Sequence, residues 1–258
     1  RFAALNVRLA VPRPRPRWRV PMLEQQQLRW WRTTLLGRTP GWSPPVPVVG
    51  PWLPIWIHRP DPARPQVRRQ STWLEGSTGR YRLAIAMQAE PRDAVVVLKL
   101  GDTQIQSQLA QVESDSGALQ FMGEVFVERA HVWWPHTHGT STLYEASVEW
   151  TDADGRRQRM ALGRIGFRHI EIDTCDGGFA VRVNDEPVFC RGACWTPLDP
   201  LRLRAEPSAY DNAVRQLRDA GMNMLRIVGA MVWESKALFE ACDRHGVLVW
   251  QDLMLANM

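Results

Sequence analysis

The chain has 258 residues, 45% of them hydrophobic, which is enough for two domains or fragments of three. Its net charge of +5 is local: residues 1–80 hold 14 Arg against three acids (Glu24, Asp61, Glu75), with no reader module beside them, so a nucleic-acid partner is not expected. Four cysteines (Cys175, Cys190, Cys194, Cys242) in no CxxC arrangement argue against a disulfide-stapled scaffold, and no apolar stretch approaches the ~18–20 residues of a membrane span.

From the N-terminus, the alternation PRPRPRWR at 12–19 reads as extended chain, and the first 60 residues are too few and too proline-rich to close a domain alone. PDPARPQVRR then has little to bury and marks a linker, placed at 61–72. From Trp73 to Glu171, alternating runs such as YRLAIAMQ and AVVVLKLG, with turns at Gly101-Asp102 and Asp154-Gly155, predict short antiparallel strands and a β-sandwich over 73–172. His136 and His138 lack a third ligand at metal spacing and read as a polar loop beside Trp133-Trp134, so no metal site is expected.

Residues 173–258 alternate. Apolar runs at 188–195, 224–229 and 247–254 have strand length. Between the first two, Tyr210, Ala213, Val214, Leu217 and Ala220 recur at helical spacing, opened by Pro207 and closed by Gly221. Ser235 is expected to cap a second helix carrying Leu238, Phe239 and Cys242 and ended by Gly246. This order predicts a parallel sheet with crossover helices. A barrel and an open doubly wound sheet both fit, but no GxGxxG turn follows the first strand, which weakens the open sheet and a dinucleotide cofactor. In a parallel barrel, functional groups sit where strands end, and Trp195, Asp199, Arg226, Trp250 and Asp252 fall there. Aromatic faces, a fixed cation and carboxylates are what a sugar site requires.

FCRGACWTPLD, AGMNMLRIVGAMVWES and CDRHGVLVWQDLMLANM resemble the opening of the catalytic barrel of glycoside hydrolase family 2, on its β-mannosidase-like branch. HVWWPHTHGTSTLYEASVEW and GRIGFRHIEID are similar to the immunoglobulin-like sandwich that precedes that barrel, and LRWWRTTLLGRTPGW with VGPWLPIWIHR to the last strands of its N-terminal jelly roll. The resemblance implies a multidomain chain: a jelly-roll remnant over 1–60, the linker, an immunoglobulin-like sandwich over 73–172, and the first three βα units of a TIM (β/α)8 barrel over 173–258.

It also implies a retaining glycosidase, in which one carboxyl protonates the leaving oxygen and another, about 5 Å away, attacks the anomeric carbon. In the family both are Glu on the fourth and seventh barrel strands, so neither lies in this chain. The chain alone is expected to be inactive, and its barrel part, 174–258, to be protease-sensitive while the sandwich survives. Glu234 and Glu240 are expected to be solvated helix residues rather than substitutes. The residues carried over for substrate binding are Arg226, near the nucleophile or paired with Asp252; Asp252 itself; Trp195 and Asp199 on the first strand-to-helix loop; and Asn257 on the last loop. Trp250 is expected on a different face from Asp252, in the core.

Two departures bear on substrate. The family's Trp two residues after the strand-two Arg, and the glycine run that follows, are here Val228 and Gly229-Ala230-Met231; its GWDWG-like loop is here Gly41-Trp42-Ser43-Pro44, without the acid. The expected partner is therefore a β-linked glycoside or oligosaccharide whose sugar is not set, mannose being disfavoured by these departures, with no cofactor, no nucleic acid and no membrane; oligomeric state and compartment are not set, the cytoplasm being slightly favoured. A second reading is a non-catalytic carbohydrate-binding module built on the sandwich, with Trp133 as its anchor.

Overall fold

The computed structural model describes residues 20–21, 23, 34–39, 41, 43–48, 52–53, 55, 57, 64–87, 90–113 and 119–256. The chain divides into two compact units: His58–Phe189, and Arg1–Ile57 together with Cys190–Met258.

The first unit is a sandwich of antiparallel sheets. Its strands are β1 (Gln66–Glu75), β2 (Thr78–Met87), β3 (Arg92–Leu100), β4 (Thr103–Gln108), β5 (Ala110–Val112), β6 (Leu119–Val127), β7 (Tyr144–Thr151) and β8 (Arg157–Ile165). One sheet runs β1-β2-β6-β5 and the other β4-β3-β7-β8, the pairing order of immunoglobulin sandwiches. Period two drives the layering: Tyr81, Leu83 and Ile85 of β2 are buried, whereas Arg80 and Arg82 face outward. Val96, Leu98, Phe121, Val125, Ala146, Val148 and Trp150 join the same core. β1 begins at Gln66, inside the stretch read as linker.

A corner fixes the entry to β7. Tyr144 opens that strand, and its hydroxyl accepts the His131 N–H at 2.9 Å while its ring meets Phe167 edge-on at 5.1 Å. Phe167 in turn requires a glycine opposite: a Cβ at Gly79 would stand 2.7 Å from its ring.

Residues 170–188 form a small antiparallel sheet, β11-β10-β9, from β9 (Ile170–Asp173), β10 (Ala180–Val183) and β11 (Glu186–Val188). Asn184 and Asp185, both at positive φ, make the two-residue hairpin turn. The apolar run 188–195 thus splits between two sheets and two units, broken at Gly192.

In the second unit β12 (Gly192–Trp195), β13 (Met224–Ile227) and β14 (Leu248–Gln251) form a parallel sheet in sequence order, linked by α1 (Pro207–Asp219) and α2 (Lys236–His245). Gly192 is needed because a Cβ there would collide with the Met224 carbonyl of the neighbouring strand. Pro207 opens α1, and Gly246, at φ 68, ends α2. Ser235 holds the N-cap position of α2, but its hydroxyl makes no capping bond.

Trp195, Leu225 and Ile227 pack with Tyr210 and Val214 of α1 and Leu238, Ala241 and Cys242 of α2 in one core, so both helices cover the same face. A doubly wound sheet would put helices on both faces. Here the opposite face carries Cys194, Arg226 and Trp250, aligned in register across the strands and exposed.

Described N-terminal residues also belong to this unit. Leu35 packs with Leu23 and Ala230, and Leu36 with Leu203, Met231 and Val232. The described residues before Ile57 form turns, bends and segments without regular secondary structure. The rest of the expected jelly-roll remnant, Trp42 included, lies outside the described residues, as does Asn257.

Candidate functional site

Parallel strands end on a common edge, and that edge assembles Arg226 and Asp252. Arg226 is the penultimate residue of β13, and Asp252 directly follows β14, its N–H bonded to the Ile227 carbonyl at 3.0 Å. The side chains form a two-point fork: Arg226 Nε donates to Asp252 Oδ1 at 3.1 Å and Nη2 to Oδ2 at 2.9 Å. Oδ2 also accepts the Gly229 N–H at 3.2 Å. The Arg226 hydrogen bonds, aided by the Gly229 N–H and the guanidinium charge, hold the Asp252 carboxyl below the usual carboxylate range. Asp252 raises Arg226 in return. The result is a fixed cation with Nη1 outside the fork, beside an ionised carboxylate.

Trp250 corrects an expectation. Residues two apart on a strand share a face, so Trp250 lies on the same side as Asp252 and in register with Arg226. Among the described residues no helix lies on that side, and Trp250 is 44% exposed rather than core.

Trp195 goes the other way. Adjacent to Cys194, which faces the exposed side, it turns into the helix-covered core at 6% exposure, its ring 6.4 Å from that of Tyr210. Asp199 organises its own loop: Oδ1 accepts the N–H groups of Leu201 at 2.9 Å and Arg202 at 2.8 Å, bonds that lower its carboxyl pKa. The structure therefore brings Arg226, Asp252 and Trp250 together, and gives Trp195 to packing and Asp199 to a turn.

Glu234 departs from the solvated helix residue expected. It precedes α2 and is 8% exposed, with Oε1 accepting Trp195 Nε1–H at 2.8 Å and Oε2 accepting the Tyr210 hydroxyl at 3.0 Å. Burial pushes its carboxyl above the ordinary value, against the pull of those two bonds. No local signal in the sequence marks it: its neighbour Trp233 is 54% exposed, and its two partners lie 39 and 24 residues away. Glu240 is the solvated helix residue expected, paired with Lys236 at 3.0 Å. Among the described residues no three His, Cys, Asp or Glu side chains converge as a metal site.

In the sandwich, Trp133 is wholly buried, with the Arg168 guanidinium 4.3 Å from its ring centre. It has no face to offer a sugar.

No protein-family model matches the chain. A β-mannosidase B of Aspergillus niger is 34% identical over 151 residues, 57% of this chain and 18% of that protein. The β-mannosidase of Bos taurus is 34% identical over 130 residues, 48% of this chain and 15% of that one. Over its matched residues this chain is similar to β-mannosidases. The crystal structure of a β-D-mannosidase from Dictyoglomus thermophilum shares the fold of this chain with a TM-score of 0.59, at 24% identity, over 74% of this chain and 24% of that one. A β-galacturonidase of family 2 from Eisenbergiella tayi matches at a TM-score of 0.52 and 21% identity, over 72% of this chain and 33% of its own. The chain thus spans less than a fifth of these two curated relatives' length.

Proposed function

We propose that this chain is part of a retaining β-glycosidase that hydrolyses O-glycosyl bonds of β-linked glycosides. The sandwich corresponds to that enzyme's immunoglobulin-like domain. The parallel sheet with both helices on one face corresponds to the first βα units of its barrel, and the N-terminal residues to the end of its jelly roll. The observation that carries the reading is the Arg226–Asp252 fork at the carboxyl ends of adjacent parallel strands, the edge on which βα barrels hold substrate.

The roles follow from charge and shape. Arg226, immobilised by Asp252, is a cation that would keep a nearby nucleophile carboxylate ionised. Asp252 accepts hydrogen bonds from sugar hydroxyls with the lone pairs left over from Arg226 and Gly229. The exposed indole of Trp250 offers a flat apolar face to a pyranose ring. The acid/base and nucleophile carboxyls belong to later strands, so the chain alone hydrolyses nothing. Ser43 Oγ accepts the Gly37 N–H at 2.6 Å, a turn role, and supplies no carboxyl where the resembled family's loop has its acid.

The test has two arms. The isolated chain is expected to give no turnover of an aryl β-mannoside, and measured turnover overturns the proposal. In a longer protein containing this chain, Arg226→Met should lower kcat/KM by roughly 10²–10³-fold, and Arg226→Lys should restore little because the fork needs a planar guanidinium. The alternative of a carbohydrate-binding sandwich loses its anchor with the burial of Trp133.

A further inference from the structure

The loop between β13 and α2, residues 228–235, leaves the edge that carries Arg226 and is held at three places by chemically different contacts. At its start, the Gly229 N–H donates to Asp252 Oδ2 at 3.2 Å. Next, the Ala230 carbonyl accepts the Leu35 N–H at 3.1 Å and the Thr34 hydroxyl at 3.4 Å. At its end, Glu234 reaches the last residue of β12 through Trp195 Nε1 and the first turns of α1 through the Tyr210 hydroxyl. That hydroxyl also accepts the Ala205 N–H at 3.2 Å, so the same contact fixes the entry to α1.

The three anchors differ in what they can withstand. The Asp252 contact sits at a partly exposed ion pair, and the Ala230 contact is a pair of neutral bonds. The Glu234 anchor is buried, and the groups acting on it are Trp195 from β12, Tyr210 from α1 and the Ser235 backbone at the start of α2, none of them a counter-ion. A buried carboxyl without a cation is costly unless every lone pair finds a donor, and here two side-chain donors from separate elements converge on it. Such a group defines the position of its neighbours, because moving any of them strands a buried oxygen.

We propose that Glu234 is the positioning residue of this edge: it locks the β13–α2 loop to β12 and α1, and thereby sets where Gly229 and the Arg226–Asp252 pair stand. It touches no substrate and acts through Trp195, Tyr210 and the loop. The lock itself follows from geometry alone; its consequence for sugar binding rests on the function proposed above.

In the full chain, Glu234→Ala should release the lock. The indole Nε1–H resonance of Trp195 should move toward the position of an unbonded indole, and the amides of residues 229–234 should exchange about tenfold faster or more. The amide of Val148, in the sandwich core, should be unchanged. Glu234→Gln keeps one acceptor for Trp195 and should restore most of the protection, while abolishing any pH dependence of that resonance. The proposal is overturned if Glu234→Ala leaves the Trp195 indole and the 229–234 amides as in the unaltered chain, or if Glu234→Gln still shows the same titration. Titration with methyl β-mannoside separates the two levels. A loosened loop with sugar affinity unchanged sinks the sugar-site reading and leaves the lock standing.

Discussion

Glu234 and Asp252 are carboxyls of opposite electrostatic character within one unit, and pH separates them. Asp252 is held below 3.8 by Arg226, so the stability it contributes is complete above that value and is lost only as pH falls further. Glu234 is raised above 4.5 by burial, so only between 4.5 and its folded value does the folded form hold a proton that the unfolded form has released. Its contribution is complete below 4.5 and declines as pH rises through the folded value. The unit Cys190–Met258 is therefore expected to lose stability as pH climbs from 4.5, and Glu234→Gln to flatten that slope. Hydrogen exchange of the Tyr210 and Val214 amides against pH measures it, and an unchanged slope in the variant would show the assignment to be wrong. Of these two residues only Asp252 was legible in the sequence, because a strand terminus followed by an acid is a local pattern. Glu234 looked like the opening of a solvated helix, since its partners Trp195 and Tyr210 lie 39 and 24 residues away. The expectation for Trp250 fails on parity, because residues two apart on a strand share a face and Trp250 therefore goes with Asp252; that this face is the exposed one is decided by where both crossovers go.

Strand and helix types along 190–256 follow directly from hydrophobic spacing, Pro207 and Gly246, whereas the break at Gly192 follows from a neighbour. The run 188–195 has the composition of one strand, but β12 can lie against β13 only if residue 192 has no Cβ, because the Met224 carbonyl fills that place. The obstacle is backbone, which cannot rotate away as a side chain could. Gly192→Ala is therefore expected to destabilise the parallel sheet by about 1–3 kcal/mol. The β12–β13 pair should open first, exposing the amides of Cys194 and Arg226 to exchange while those of β7 keep their protection. Equal loss of protection in both units, or none in either, would contradict the close approach. The sandwich was easier to read at this scale, since β2, β3 and β7 each carry inward residues such as Leu83, Val96 and Val148 at period two, and their pairing order is the common solution for two such sheets.

Across the whole molecule the two units differ in how completely they enclose apolar surface. The sandwich closes its two sheets over a shared core. Among the described residues the parallel sheet of the other unit has helices on one side only: Trp250 is 44% exposed, with Leu253 at 68% and Leu255 at 51% just beyond β14, and β12 and β14 are both sheet edges. Exposed apolar area and unpaired strand edges favour local opening and association, so this unit should be the labile one. Sequence alone would start the labile part at 174. The structure moves that boundary, because β9–β11 pair among themselves and Asn184 Nδ2 donates to the Trp133 carbonyl at 3.1 Å, tying the small sheet to the sandwich's buried tryptophan. Limited trypsin digestion, which cleaves after Arg and Lys, is therefore expected to cut at Arg191 and beyond, leaving a resistant core that ends at Arg191 and retains all eleven strands β1–β11. Mass spectrometry of that core distinguishes the alternatives. A core ending near Asp173 would mean that the small sheet depends on the parallel unit, and a single cooperative melt of the whole chain would mean that the exposed face is not the weak point.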